Sequence, residues 1–211
     1  MTRVNRFWMY LGVFVLATAG VAAAQTPTPI DTIPISTSRL GFGAQVSYFR
    51  SSGADQGAYY FGGVVRYGIG SMLGFEGTLG YRGNQMFDFG TVNGNQLFAD
   101  ISTIPITASI MVFIPLRTTT FVPYGMLGAG LYMLSINYSP DINKVMGDET
   151  KVKAGGHLGV GLELPLTQTF NAHVDYRYLF LSKIFDSSSV YDFSSKDYNG
   201  GSVTLGLMFS F

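Results

Sequence analysis

The chain has 211 residues, of which 47% are hydrophobic and only 12% charged, about half the charged share of an ordinary globular protein. Its 13 basic and 13 acidic residues cancel, and no basic stripe marks a nucleic-acid surface. With no cysteine, disulfide frameworks and thiolate chemistry are excluded.

The one long apolar run is 7–24. Arg3 and Arg6 precede it, and Ala22-Ala23-Ala24 close it before Gln25. A basic start, an apolar centre and an A-x-A site make an export signal, with cleavage expected between Ala24 and Gln25. An uncleaved anchor is the competing reading, since the run is near the lower limit for a span. Loss of Arg3 and Arg6 leaves 11 basic against 13 acidic groups, a net charge near −2. Residues 25–38 carry Pro27, Pro29 and Pro34, which argues for an extended linker. Residues 39–211 are then one domain.

That domain alternates with period 2 almost throughout. The first strand is expected over 39–50, with Leu40, Phe42, Ala44, Val46 and Tyr48 on one face. After a loop at 51–57, a second strand over 58–69 sets Tyr59, Phe61, Val65, Tyr67 and Ile69 against Tyr60, Val64 and Arg66. A tight turn at 70–72 leads to a third strand, where Leu73, Phe75, Leu79 and Tyr81 alternate with Glu76, Thr78 and Arg82. A loop over 83–97, rich in Asn, Gly and Asp, is expected next.

The fourth strand, 100–114, places five isoleucines and valines opposite Pro105, Thr107, Ser109 and Met111. Pro105 cannot donate to the ladder, so a bulge or slack pairing is expected there. The fifth, 121–135, has glycines at 125, 128 and 130 that blur its phase. A loop over 136–150 precedes a sixth strand, 151–164, in which Lys153, His157 and Glu163 share a face. The seventh, 169–180, sets Asn171, His173, Asp175 and Arg177 against Phe170, Ala172, Val174 and Tyr176. A loop over 181–197 leads to the eighth. There Val203, Leu205, Leu207, Phe209 and Phe211 form a wholly apolar face opposite Ser202, Thr204, Gly206, Met208 and Ser210.

Eight strands of this length suit tilted bilayer crossings. Short connections alternate with long ones, as short periplasmic turns alternate with outer loops. The fold class expected is all-β: an up-and-down, antiparallel, eight-stranded transmembrane barrel whose ends meet. A soluble lipocalin-type barrel would show the same period with the apolar face inward. The charges decide against it, because Arg66, Glu76, Arg82, Lys153, His157, Glu163, His173, Asp175 and Arg177 share the small, polar face. Aromatics also gather at strand ends, as membrane girdles do.

The terminal Phe209-Ser210-Phe211, the Ile104-Pro105-Ile106 of the fourth strand, and Pro123-Tyr124-Gly125 with Gly128-Ala129-Gly130 of the fifth carry a resemblance. Over 39–211 the chain resembles the small outer-membrane β-barrels of the OmpA/OmpX/OmpW type from Gram-negative-type bacteria. No catalytic role is expected from the residues. The resemblance implies an outer-membrane location after export. It also implies that Phe209 and Phe211 signal to the barrel-assembly machinery.

An eight-stranded barrel has an interior just filled by side chains, so inward charges must be paired. Arg66, Glu76, Arg82, His157, Glu163, His173, Asp175 and Arg177 are therefore expected to form a structural polar network. The alternative is a narrow pore for small solutes that they line. A lipid-modifying enzyme would need a serine beside one of the histidines at the membrane surface, and spacing assigns none. Two histidines and scattered acids give no metal motif, and no cofactor is expected. The partners expected are outer-membrane lipid and the assembly machinery. A surface ligand could meet Phe87, Phe89, Tyr138, Val190, Tyr191 and Phe193 on loops 83–97, 136–150 and 181–197, although these aromatics could equally pack over the barrel mouth.

Overall fold

The computed structural model describes residues 39–92, 95–116, 121–139, 148–181 and 198–211, without the side chains at 91, 92, 95 and 96. The expected export signal and linker lie outside them. The strands are β1 (Leu40–Ser51), β2 (Ala58–Ile69), β3 (Leu73–Val92), β4 (Asn95–Phe113), β5 (Val122–Tyr138), β6 (Glu149–Pro165), β7 (Phe170–Leu181) and β8 (Gly200–Ser210). Each pairs antiparallel with its chain neighbour, and β8 returns to β1 to close the barrel.

Closure is the step that lets such a sheet exist in hydrocarbon, because an open edge would leave backbone N–H and C=O groups without partners. The seam runs from Gly41↔Ser210 to Ser51↔Gly200. Beyond it the Phe211 N–H donates to the Leu40 carbonyl at 3.1 Å. Gly43 lies at this seam, on the inner face. A Cβ there would run into the Leu207 carbonyl and come within 2.9 Å of the Met208 Cα, so the two strands can approach only because the residue is glycine.

Every strand turns its apolar set outward. Phe42, Phe61, Leu79, Ile110, Leu127, Val160, Tyr176 and Leu207, one from each strand, are 48–68% exposed. A continuous belt of this kind has no place in water. Together with an interior that holds the ions, it excludes the lipocalin-type arrangement. Aromatic rings cluster at both rims. Tyr48 meets Tyr59 edge-on at 5.3 Å and Tyr178 tilts onto Phe180 at 4.9 Å at one rim. Phe42, Phe170 and Phe211 surround Phe209 at the other, at 5.3–6.2 Å. The phase of β5, which its glycines blur, is set by its neighbours: Tyr124, Met126, Tyr132, Leu134, Ile136 and Tyr138 point inward, while Leu127, Leu131 and Met133 are exposed.

Two expectations need correction. Most of 83–97 is not loop: β3 continues to Val92 and β4 starts at Asn95, so a two-residue connection joins two long arms. Pairing overrides the Gly/Asn/Asp composition, and two register shifts, between Arg82 and Gln85 and between Asp88 and Gly90, absorb what the arms cannot match. Gly90 takes the positive φ of 90° that the second irregularity requires, and its N–H donates to Asp88 Oδ1 at 2.7 Å. The loop expected over 136–150 is likewise shorter, since β5 reaches Tyr138 and β6 begins at Glu149.

Pro105, where a bulge or slack pairing is expected, shows the second. Its pairing with Tyr132 of β5 is continuous. On the β3 side the ladder is interrupted between Leu79↔Ile106 and Arg82↔Thr103 without a change of register, which is the slack pairing that a missing donor produces.

Gly43→Ala is expected to destabilise the barrel by about 1–3 kcal/mol, the usual range for overpacking a filled site. Gly77→Ala, whose added Cβ would meet nothing within 4 Å, serves as its control. The readout is the temperature at which the detergent-refolded protein loses its compact gel mobility. Equal midpoints for the two variants would refute the close-approach account.

Candidate functional site

The interior is where this barrel gathers its buried ionisable groups, among the described residues. It is layered. Towards the short turn at 70–72, Met111, Tyr124 and Met126 pack together with Phe113 against them. Beside them lies the ionic network. Towards the other end the lumen is filled by apolar side chains.

The network is organised around Glu76. The turn at 70–72 sets Arg66 opposite Glu76 across the β2–β3 ladder, and Arg66 Nε donates to Glu76 Oε2 at 2.8 Å. Arg177 reaches the same carboxylate from β7, donating from Nη1 to Oε1 at 2.7 Å. Since β3 and β7 stand on opposite sides of an eight-stranded barrel, this pair spans the lumen. Arg177 also donates to Asp175, from Nε to Oδ1 at 2.6 Å and from Nη2 to Oδ2 at 3.0 Å. The two are two residues apart on one strand, hence on one face. Arg66 donates to Glu163 Oε2 at 3.2 Å and to the Tyr124 hydroxyl at 3.2 Å. That hydroxyl in turn donates to Asp175 Oδ2 at 3.1 Å. Glu76 and Asp175 have no exposed side-chain surface, so their charges depend on these partners.

Of the residues named from sequence, Arg66, Glu76, Glu163, Asp175 and Arg177 are thus brought together. His173 stands at the edge, its Nε2 4.0 Å from Asp175 Oδ2, beyond hydrogen-bond range. Arg82 and His157 are elsewhere. Arg82 sits over the Phe49 ring at 3.8 Å. His157 Nε2 is 2.8 Å from Ser109 Oγ. Spacing along the chain does not assign this serine to the histidine. The pair is buried on the inner face and does not lie at the membrane surface.

Sequence reasoning misses Tyr124 as a member of the network. Its inward phase is unreadable while β5 is ambiguous, and the usable signal lies in its neighbour: Gly161 stands opposite Tyr124, and a Cβ on Gly161 would strike the phenol ring.

At the far end Phe49, Phe87, Leu97, Ile101, Tyr132, Leu134, Ile136, Tyr138, Leu179 and Tyr198 belong to one buried apolar cluster, with Phe89 packed against it. Tyr198 stacks on Phe87 at 6.0 Å and its hydroxyl lies 2.6 Å from Thr103 Oγ1. Phe87, Phe89 and Tyr138 therefore belong to the barrel's filling and not to an exposed loop patch. Val190, Tyr191 and Phe193, with nearly all of the loop at 181–197, lie outside the described residues. The 52–57 connection closes down on this end. Ala54 joins the cluster, the Asp55 N–H donates to the Met86 carbonyl at 3.1 Å, and the Asp88 N–H donates to Asp55 Oδ2 at 2.8 Å.

Several solved structures share this architecture. OprG from Pseudomonas aeruginosa is 15% identical, with a TM-score of 0.60, the match covering 83% of this chain and 96% of that one. A major outer membrane protein of Thermus thermophilus is 10% identical with a TM-score of 0.57, covering 82% and 99%. Neisserial surface protein A is 18% identical with a TM-score of 0.54, covering 83% and 98%. Identities this low speak for the fold alone. No curated protein matches the chain. The model of the outer membrane protein beta-barrel domain family matches residues 12–211, and the chain, an eight-stranded outer-membrane barrel, belongs to that family.

Proposed function

We propose that this barrel has a structural or surface-interaction role in the outer membrane and is neither a pore nor an enzyme. The observation that supports this most directly is the filled lumen. One level is crossed by the Arg66–Glu76–Arg177 bridge and another by the apolar cluster around Tyr198. A solute would have to break a buried ion pair and also displace packed aromatic rings. The arms of β3 and β4, far longer than β1 or β2, carry this end of the barrel beyond the belt. They offer a partner a pair of hydrogen-bonded arms in place of the loop expected at 83–97.

In this reading the chain is exported by a signal cleaved between Ala24 and Gln25. Phe209 and Phe211 then serve the assembly machinery, and the apolar belt is solvated by outer-membrane lipid. The narrow-pore alternative makes the same ion network a gate, and the two readings differ in a measurable way.

In planar bilayers the refolded protein is expected to show no stepwise conductance. Steps that change in Glu76→Gln or Arg66→Gln would replace the structural reading by the gated pore. Glu76→Gln itself leaves two buried guanidiniums without their shared carboxylate and is expected to cost about 3–5 kcal/mol, read as a lower midpoint for loss of compact gel mobility. An unchanged midpoint would remove the network's structural role. For the surface-interaction part, trimming the hairpin tip over 90–96 is expected to reduce adhesion of cells displaying the barrel while its heat-shifted mobility persists. Unaltered adhesion would leave a purely structural role.

A further inference from the structure

The ionic network uses every inward carboxylate it contains on two of the three inward arginines. Glu76, Glu163 and Asp175 accept from Arg66 and Arg177. Arg82, further along β3 on the same face as Thr78 and Gly80, receives none of them. It is 7% exposed, and its Nε and Nη1 have no hydrogen-bond partner among the described residues. The ring of Phe49 covers one face of the guanidinium, which leaves its edge, where the N–H groups point, free for a ligand.

Beside it lies a cavity of about 50 Å³ between the ionic network and the apolar cluster. Arg82 and Arg177 both line it, together with Tyr60, Ser202, Thr204 and His157. No carboxylate does, among the described residues. The Tyr60 hydroxyl is also buried and without a partner. The lining thus offers one guanidinium without a carboxylate partner, that of Arg82, and several hydroxyl groups, while the charge of Arg177 is already met by Glu76 and Asp175. A buried, uncompensated guanidinium is unfavourable by several kcal/mol unless something of opposite charge meets it. The volume admits a monatomic anion with a few waters, since one water needs roughly 10–15 Å³ by this measure, and it is too small for a phospholipid headgroup or a sugar.

We propose that this mid-barrel cavity is a binding site for a small inorganic anion of halide size, held chiefly by the Arg82 guanidinium with the Tyr60 hydroxyl as a second donor. The site would act as an internal counter-ion for Arg82, taken up as the barrel closes. It is independent of whether the barrel interacts with a partner, and it does not require an open pore.

The test uses the complete folded barrel, refolded and crystallised in sodium bromide, with data collected at the bromine absorption edge. An anomalous peak within hydrogen-bond distance of the Arg82 nitrogens supports the proposal; ordered water there, with no peak, overturns it. In parallel, the midpoint for loss of compact gel mobility is compared in sodium chloride and in sodium gluconate of equal ionic strength. The wild type is expected to shift upward in chloride, while Arg82→Met, an apolar side chain of similar length, shows no difference between the salts. A chloride shift that survives in Arg82→Met would place the effect elsewhere and overturn the assignment. Should that variant fail to refold, the bromide peak in the wild type still decides.

Discussion

A backbone in hydrocarbon finds no water to complete its hydrogen bonds, and the structure depends on that constraint above all. The ladder from β1 through β8 answers it only because the last strand returns to the first over the full length from Gly41↔Ser210 to Ser51↔Gly200. Closure then dictates much else. It needs strands that come close at the seam, which is why Gly43 lies against the backbone of β8. It also separates two environments that differ in polarity, so each strand must alternate between them.

With only eight strands, the enclosed space is narrow enough to be filled by side chains, and what fills it must settle its own electrostatics. Glu76 does so by serving two guanidiniums that reach it from opposite walls. This arrangement ties β2 and β3 to β7, and through Glu163 and Tyr124 to β6 and β5 as well. A cross-brace of this kind is specific in register. A one-residue slip of any of these strands would turn its polar member out into lipid. The ion network and the ladder therefore reinforce each other: the ladder aims the charges inward, and the charges penalise every other register.

The upper half is held differently. There the arms of β3 and β4 leave the belt, and an inward apolar set with Tyr198 at its centre fills the mouth. The 52–57 connection is pinned to β3 by Asp55, so this end is a packed cap and not a vestibule. Between cap and network, Arg82 is the one inward guanidinium that neither layer satisfies, among the described residues. It stands where the filling changes from ionic to apolar, and the cavity lies beside it.

Strand number, the inward and outward faces of every strand but β5, and the Arg66–Glu76 pairing were legible in the sequence. Each follows from period-2 alternation and from one tight turn that leaves no choice of register. The sequence by itself determined the membrane orientation too, since charges confined to one phase can face only the interior. Other features were decided by tertiary structure alone. The extension of β3 and β4 through 83–97 was hidden because Asn, Gly and Asp read as loop, and only cross-strand pairing with bulges makes them strand. Tyr124 and Ser109 found their partners through strands distant in the chain, contacts that no local spacing encodes. Which charges meet across the lumen, and that Arg82 meets none among the described residues, depends on how eight strands curve around one axis. A pattern read along a single strand carries no information about the opposite wall.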